Sequence, residues 1–79
     1  MPRGVFNWTY RDVTRFLSER GFVFYKQTEG SHEYWVNELT GAVVNINFHG
    51  QKSFPPRTLE IMIRQSKINK KMWRVWTSK

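Results

Sequence analysis

The sequence contains no cysteine, and that absence removes several classes of protein at once. Without thiols there is no disulfide framework, no cysteine nucleophile and no cysteine-based zinc site. The two histidines, His32 and His49, lie far apart in the sequence and without a carboxylate cluster nearby, so no metal site is expected. No apolar run approaches the roughly 18 to 20 residues of a membrane span, and the N-terminus lacks the apolar segment of a secretory signal. We therefore expect a soluble, cytoplasmic protein with no metal, no cofactor and no membrane contact.

The chain is short, which limits the number of domains it can form. With 79 residues it has room for one hydrophobic core, so we expect a single domain over residues 1–79 with a core from about 9 to 76. A domain of this size buries only about 60% of the surface that its unfolded chain exposes. Aromatic residues make up 16% of the chain, and their large apolar side chains compensate for the small core.

Acidic residues are almost missing from the C-terminal part of the chain. Up to Gln51, five basic residues are balanced by five acidic ones, whereas after Gln51 eight basic residues face Glu60 alone. The whole net charge of +7 therefore belongs to residues 52–79. A one-sided basic segment is typical of proteins that bind nucleic acid or another polyanion, although charge of this kind also serves solubility.

Local signals predict the element order α-β-β-β-α followed by a short terminal helix. Thr9 and Asp12 have the spacing of a capping box for the first helix, and Gly21 stands where a left-handed C-terminal cap is expected. Thr58 is expected to cap the second long helix, and Asn69 the short final one. Three segments joined by short turns predict an antiparallel meander with strands at 22–27, 31–37 and 42–48. Helices on one face of this sheet would give a two-layer α+β fold with the other face free for a partner.

Histidine is the main candidate for catalysis, because the sequence has no Gly-rich phosphate loop, nucleophile elbow, zinc-binding helix motif or suitably spaced carboxylate pair. His32 follows Gly30 and Ser31 at the tip of a predicted hairpin. Imidazole exchanges protons near neutral pH. RNA cleavage through a ribose 2′-hydroxyl requires such a proton-transfer group and nearby cations that stabilise the negative charge that develops. The alternative is structural: His32 caps the turn or hydrogen-bonds a backbone carbonyl. The consecutive apolar residues 34–36 leave open which face of the second strand is buried, and hence where His32 points.

Two further features have a structural and a functional interpretation. His49 begins the loop before the two prolines, where it can transfer a proton, contact a phosphate or shape the loop through a hydrogen bond. Trp73 and Trp76 stand among basic residues and can stack bases, but their helical spacing beside Met72 favours packing onto the core.

The order of short motifs resembles a known family. Gly21-Phe22, Lys26-Gln27 and Gly30-Ser31-His32 are followed by His49-Gly50, by residues 58–61 at the start of the second long helix, and by Arg64-Gln65. In this order, over about residues 9 to 76, the sequence resembles the HicA toxins of bacterial and archaeal toxin–antitoxin pairs. One departure is Glu33, where the family commonly has an apolar or aromatic residue after Gly-Ser-His, a change that can alter how the sheet face meets RNA without touching His32 itself. A second is the absence of the proline that often precedes the loop histidine, since this chain has Phe48 before His49.

The resemblance implies a fold, an activity and a partner. It implies a fold like the double-stranded-RNA-binding domain and the activity of an mRNA interferase, an endoribonuclease that cleaves RNA without the ribosome. Its required histidine corresponds to His32, which would act as the general base or acid. A HicB-type antitoxin would neutralise the protein, which we expect to be monomeric when free and part of a larger complex with the antitoxin.

The remaining candidate residues have supporting roles. Gly30, Ser31 and Gln27 are expected to hold the catalytic turn, while phosphate contacts are assigned to basic residues at Lys26, Lys52 and Arg57. The second proton-transfer group is left open between His49, a lysine and water. Two other functions stay open: a non-catalytic RNA-binding module that uses the basic C-terminal segment, and a protein-interaction domain whose charge matches an acidic partner.

Overall fold

Six elements follow one another in the computed structural model, which describes residues 7–47 and 52–76. They are α1 (Tyr10–Glu19), β1 (Phe22–Gln27), β2 (His32–Asn37), β3 (Val43–Asn47), α2 (Pro56–Ser66) and α3 (Lys70–Val75). The strands form one antiparallel sheet in the order β1-β2-β3. This arrangement confirms the predicted α+β class and is consistent with a fold like the double-stranded-RNA-binding domain.

Helix α1 begins and ends at the predicted residues. The backbone N–H of Asp12 donates to the Thr9 hydroxyl, and the backbone N–H of Thr9 donates to the Asp12 carboxylate at 3.0 Å, which completes the capping box. After the helix, Gly21 has a φ of +91°, a conformation that side chains with a Cβ rarely adopt. The Asn37 side chain donates to the carbonyl of Arg20 at 3.1 Å, so the end of α1 is tied directly to β2.

The sheet has one irregularity, in the strand that precedes the candidate turn. Phe24 pairs with Trp35 and Lys26 pairs with Tyr34, so Tyr25 is an extra residue in a β-bulge. The pairing of β2 with β3 is regular over its length, from His32 opposite Asn47 to Val36 opposite Val43.

Contacts of β2 settle which face of the sheet is buried. Trp35 packs against the core and the Glu33 carboxylate accepts a hydrogen bond from the Tyr10 hydroxyl of α1 at 2.8 Å, so both face the helices. Val44 and Ile46 of β3 are fully buried on that side. Alternation along the strands then assigns the other side of the sheet, here called the open face, to Val23, Lys26, His32, Tyr34, Val36 and Val43.

Helix α2 starts earlier than predicted, so the assignment of its cap to Thr58 was wrong. The N-cap is Pro55, without a side-chain cap, and the helix begins at Pro56. Proline is favoured at this first position because its φ already suits a helix and its missing N–H would have no partner there. The predicted inward stripe is confirmed by Leu59, Met62 and Ile63, which are buried.

An aromatic cluster joins the final helix to the first. Trp73 is fully buried and Trp76 nearly so, and their rings lie 4.4 and 5.9 Å from that of Phe16. The Trp76 indole N–H also donates to the Glu19 carboxylate at 2.9 Å. Packing, not base stacking, is therefore the role of both tryptophans. Asn69 caps α3 as predicted, by accepting from the backbone N–H of Lys71 at 2.7 Å.

The connection from β3 to α2 is described only in its second half. Ser53 forms an isolated bridge with Thr9, and the backbone N–H of Phe54 donates to the carbonyl of Trp8 at 2.8 Å. Phe48 and His49, predicted as the end of the third strand and the start of the loop, lie outside the described residues. Within the described ranges no helix has the length and hydropathy to cross a membrane.

Candidate active site

The turn between β1 and β2 is closed by two hydrogen bonds. The backbone N–H of Thr28 donates to the carbonyl of His32 at 2.8 Å, and the Gln27 side chain donates to the carbonyl of Gly30 at 2.9 Å. Gly30 has a φ of +65°, and an added Cβ would meet nothing within 4 Å. Glycine is needed there for its backbone conformation rather than for space.

His32 is exposed on the open face at the first position of β2. Its backbone carbonyl, rather than its imidazole, closes the turn. Among the described residues no hydrogen bond engages the imidazole. The ring is therefore outside the hydrophobic layer and accessible to a ligand, as proton transfer to a substrate requires.

The bulge in β1 brings Lys26 to the same face as His32. Lys26 pairs with Tyr34, which lies two residues after His32 in β2, so Lys26 and His32 are diagonal neighbours on the sheet. Side chains in that relation have Cα atoms about 7–8 Å apart, within reach of a long side chain. The ammonium of Lys26 lies 5.7 Å from the Tyr25 ring centre and 5.8 Å from that of Tyr34. Lys26 and Tyr34 therefore lie on the same face as the histidine, and the Tyr25 ring contacts that lysine.

The contact of Tyr25 and Tyr34 with Lys26 could not be predicted from the sequence, because regular alternation places Lys26 on the face opposite to Tyr25. The bulge depends on how β1 pairs with β2, and no residue type within the strand predicts it. The sequence signal that points to Tyr25 is the presence of three aromatic residues within 22–25, in a strand that precedes a glycine turn.

The other predicted phosphate contacts, Lys52 and Arg57, lie outside the two strands that flank the turn. Lys52 is exposed directly before the bridge at Ser53. Arg57 is exposed in the first turn of α2, beside Ile61 and Arg64 in a shallow groove of about 500 Å³ on the surface of that helix. Because α2 covers the buried face of the sheet, Arg57 belongs to the helical layer and His32 to the opposite one. His49 lies outside the described residues.

The positive charge of the C-terminal part is concentrated on the helical layer. Glu60, its one acidic residue, forms an ion pair with Lys70. The other basic side chains of α2, its C-cap and α3 have no ion pair within the part of the chain that the structure describes, and they are all exposed: Arg57, Arg64, Lys67, Lys71 and Arg74. This layer can attract a polyanion over a wide area, whereas Lys26 is the one cation among the described residues assigned to the open face.

Glu33 lies next to His32 in sequence but faces the other way. Its carboxylate accepts hydrogen bonds from the Tyr10 hydroxyl at 2.8 Å and from the Trp35 indole N–H at 3.0 Å. Burial, with the hydrogen bond and the charge of Glu33, raises the pKa of Tyr10 to about 12. Glu33 thus ties β2 to α1. Its side chain therefore lies on the side of the sheet opposite to His32.

A family model matches most of the chain. The family model described as "HicA toxin of bacterial toxin-antitoxin" matches residues 10–68 of the 79. The matched range contains the β1–β2 turn with His32, the whole sheet and α2, but not α3. No curated protein matches the sequence.

Proposed function

The chain belongs to the HicA toxin family of bacterial toxin–antitoxin systems, which supports a toxin role, and we propose that it exerts this role as an endoribonuclease that cleaves mRNA without a metal ion. The observation that carries the proposal is the exposed imidazole of His32 on the open face, beside a glycine turn and diagonal to Lys26. Family membership alone does not assign a mechanism to a residue, whereas this geometry provides a proton acceptor and a cation on one accessible surface.

The reaction is an attack by the RNA on its own backbone. His32 takes the proton of a ribose 2′-hydroxyl, and the 2′-oxygen forms a bond to the adjacent phosphorus. The bond from phosphorus to the 5′-oxygen breaks, and that oxygen takes a proton from His49, a lysine or water. The products end in a 2′,3′-cyclic phosphate and a 5′-hydroxyl. Negative charge that develops on the phosphoryl oxygens is stabilised by Lys26.

The supporting residues act through the shape of the turn and through phosphate binding. Gly30, Ser31 and Gln27 hold the turn that presents His32, and the bond from Gln27 to the Gly30 carbonyl supports this role. Lys52 and Arg57 bind phosphates of the same RNA strand away from the scissile bond. Arg57, on the helical layer, contributes to affinity rather than to the chemical step.

The partner is a HicB-type antitoxin protein in the cytoplasm, and the free toxin is a monomer. Neutralisation requires that the antitoxin prevent RNA from reaching His32. It can do so by covering the open face, or by blocking the binding of RNA to the basic helical layer. Both surfaces are exposed in the described part of the chain.

A second candidate function is a non-catalytic RNA-binding module. The observation that favours it is the unpaired positive charge of the helical layer, which can grip a phosphate backbone without any contribution from His32. In that case His32 would only shape the turn.

Incubation of the purified protein with labelled single-stranded RNA in EDTA separates these functions. We expect cleavage into discrete fragments by the wild-type protein. Intact RNA that is retained and then released as salt increases would favour the binding module. A lack of RNA affinity at physiological salt would contradict both and favour a protein-interaction domain.

A further inference from the structure

The open face carries an aromatic pair that neither the core nor the catalytic step requires. Tyr25, whose ring contacts the Lys26 ammonium of the open face, is 63% exposed, and Tyr34 is partly exposed. Lys26 lies within 6 Å of both ring centres. An exposed tyrosine contributes little to folding, so a cluster of two rings and a cation beside His32 indicates a ligand.

The bulge is what assembles this cluster. In a regular strand Lys26 would follow Tyr25 onto the opposite face and point toward α1. Because Tyr25 is the extra residue, Lys26 instead pairs with Tyr34 and emerges on the open face. Bulges often redirect a side chain next to a functional site. The irregularity therefore adds the cation of Lys26 to the face that already carries Tyr34 and His32.

The chemistry of the cluster fits a nucleotide better than an apolar peptide. Tyrosine rings stack on nucleobases of any sequence, and a neighbouring ammonium binds the phosphate that accompanies each base. Exposed valines of the same face, Val23 and Val43, lie toward the other end of the strands, away from His32. A base can stack only when it is unpaired, since a duplex hides its faces.

We propose that Tyr25 and Tyr34 form a stacking site for unpaired bases of the RNA next to the scissile bond, with Lys26 bound to a phosphate of the same strand. The proposal rests on the proposed function, because it takes RNA as the ligand. It adds that the substrate is single-stranded and that the tyrosines bind it without taking part in proton transfer.

The test measures binding, so that it does not depend on the assignment of His32. A short fluorescent 2′-O-methyl RNA keeps the bases and phosphates of the substrate but has no 2′-hydroxyl to attack, so it stays intact. Dissociation constants are compared for wild type, Tyr25→Phe and Tyr25→Leu. Phe24→Leu is the matched control, because Phe24 is adjacent and 49% exposed but packs edge-on against Trp35 on the buried side of the sheet. Circular dichroism and thermal melts check that each variant folds.

Loss of the ring is expected to weaken binding by about five- to hundredfold in Tyr25→Leu, the range for one stacked base. Tyr25→Phe keeps the ring and should stay within about twofold of wild type, as should Phe24→Leu. An abasic nucleotide at the stacked position should weaken wild-type binding but not that of Tyr25→Leu. The same strand annealed to its complement should bind without a Tyr25 effect.

Salt dependence separates stacking from charge. Tyr25→Leu should leave the slope of log Kd against log salt unchanged, whereas Lys26→Met should reduce it by about 0.7, the value for one phosphate contact on a single strand. Equal affinities of Tyr25→Leu and Phe24→Leu would overturn the stacking site and leave the proposed function intact. Absence of RNA binding by the wild-type protein would overturn both. RNA cleavage by a folded His32→Ala protein would contradict the catalytic assignment alone.

Discussion

Replacement of Glu33 by alanine should destabilise the protein far more than its position beside an exposed histidine suggests. The Glu33 carboxylate is the shared acceptor of hydrogen bonds from Tyr10 of α1 and Trp35 of β2, at 2.8 and 3.0 Å. A hydrogen bond to a charged group contributes about 1.5–3 kcal/mol. Because these groups are only partly buried, the lower part of that range applies. With two such bonds, we therefore expect Glu33→Ala to lower the free energy of unfolding by about 3–4 kcal/mol.

That loss is large for a chain of this size. At roughly 0.05–0.15 kcal/mol per residue, a domain of 79 residues has a stability of about 4–12 kcal/mol. For domains of 60–100 residues, each kcal/mol corresponds to roughly 4–8 °C in Tm, so a decrease of roughly 10–30 °C is expected. Thermal and urea unfolding, followed by circular dichroism, measure both quantities.

The Tyr10 phenol gives a second, independent readout. The pKa of Tyr10 is about 12 in the folded protein, above the ordinary value of 10.0. The Tyr10 phenol therefore contributes fully to the free energy of unfolding below pH 10, and this contribution is lost as the pH rises through 12. Burial, the largest cause of this shift, persists in Glu33→Ala, but the hydrogen bond and the charge of Glu33 do not. The phenol of Tyr10 should then ionise at a pH between these two values, which ultraviolet absorbance detects.

The matched control is Glu38→Ala, which removes the same charge from an exposed turn and should change stability by no more than about 0.5 kcal/mol. Equal stabilities of the two variants would refute the argument that Glu33 ties β2 to α1. So would an unchanged titration of Tyr10.

Three other local features are tested by substitution and thermal unfolding. Lys67 ends α2 with a φ of +61°, so Lys67→Gly should raise stability by up to about 1 kcal/mol, and a decrease would contradict the inferred strain. Trp76→Phe loses the hydrogen bond to Glu19 and part of the ring packing. The hydrogen-bond part, about 1.5 kcal/mol, should be absent in a Glu19→Ala background, so Trp76→Phe should cost less there than in wild type; equal costs in the two backgrounds would contradict the role of the carboxylate. Gly30→Ala and Gly41→Ala each put a Cβ into open space at positive φ, so each should lower the free energy of unfolding by about 1 kcal/mol. Only Gly30→Ala should also lower the rate of RNA cleavage, because Gly30 lies in the turn that presents His32. Equal cleavage rates of the two variants would contradict this role of the turn.

Features of the fold that depend on neighbouring residues in sequence were predictable. The capping box of Thr9 and Asp12 and the positive φ of Gly21 result from local hydrogen bonds and local sterics, so their signals are present in the sequence itself. The start of α2 was not predictable in this way, because Pro56 and Thr58 both favour a helix N-terminus and only the structure shows that the proline prevails.

Features that depend on strand pairing were not predictable. The consecutive apolar residues of β2 leave its buried face undefined until Trp35 is seen against the core and Glu33 against α1. The bulge at Tyr25 then reverses the direction of Lys26. His32 could be singled out from its glycine turn, but its neighbours on the open face could not.

The location of the charge was predictable along the chain but not in space. The basic excess of residues 52–79 is evident in the sequence, whereas its separation from His32 by the thickness of the sheet depends on which face α2 covers. Arg57 was therefore grouped with Lys26 as a phosphate contact although the two lie on different layers.

The most direct test of the account is the rate of RNA cleavage by His32→Ala, measured in EDTA beside wild type. Because His32 is exposed and its backbone carbonyl, not its side chain, closes the turn, the free energy of unfolding of the variant should lie within about 0.5 kcal/mol of that of wild type. Loss of a general acid or base should slow cleavage by about hundredfold or more, with RNA binding retained. A folded His32→Ala protein that cuts RNA at the wild-type rate would contradict the account.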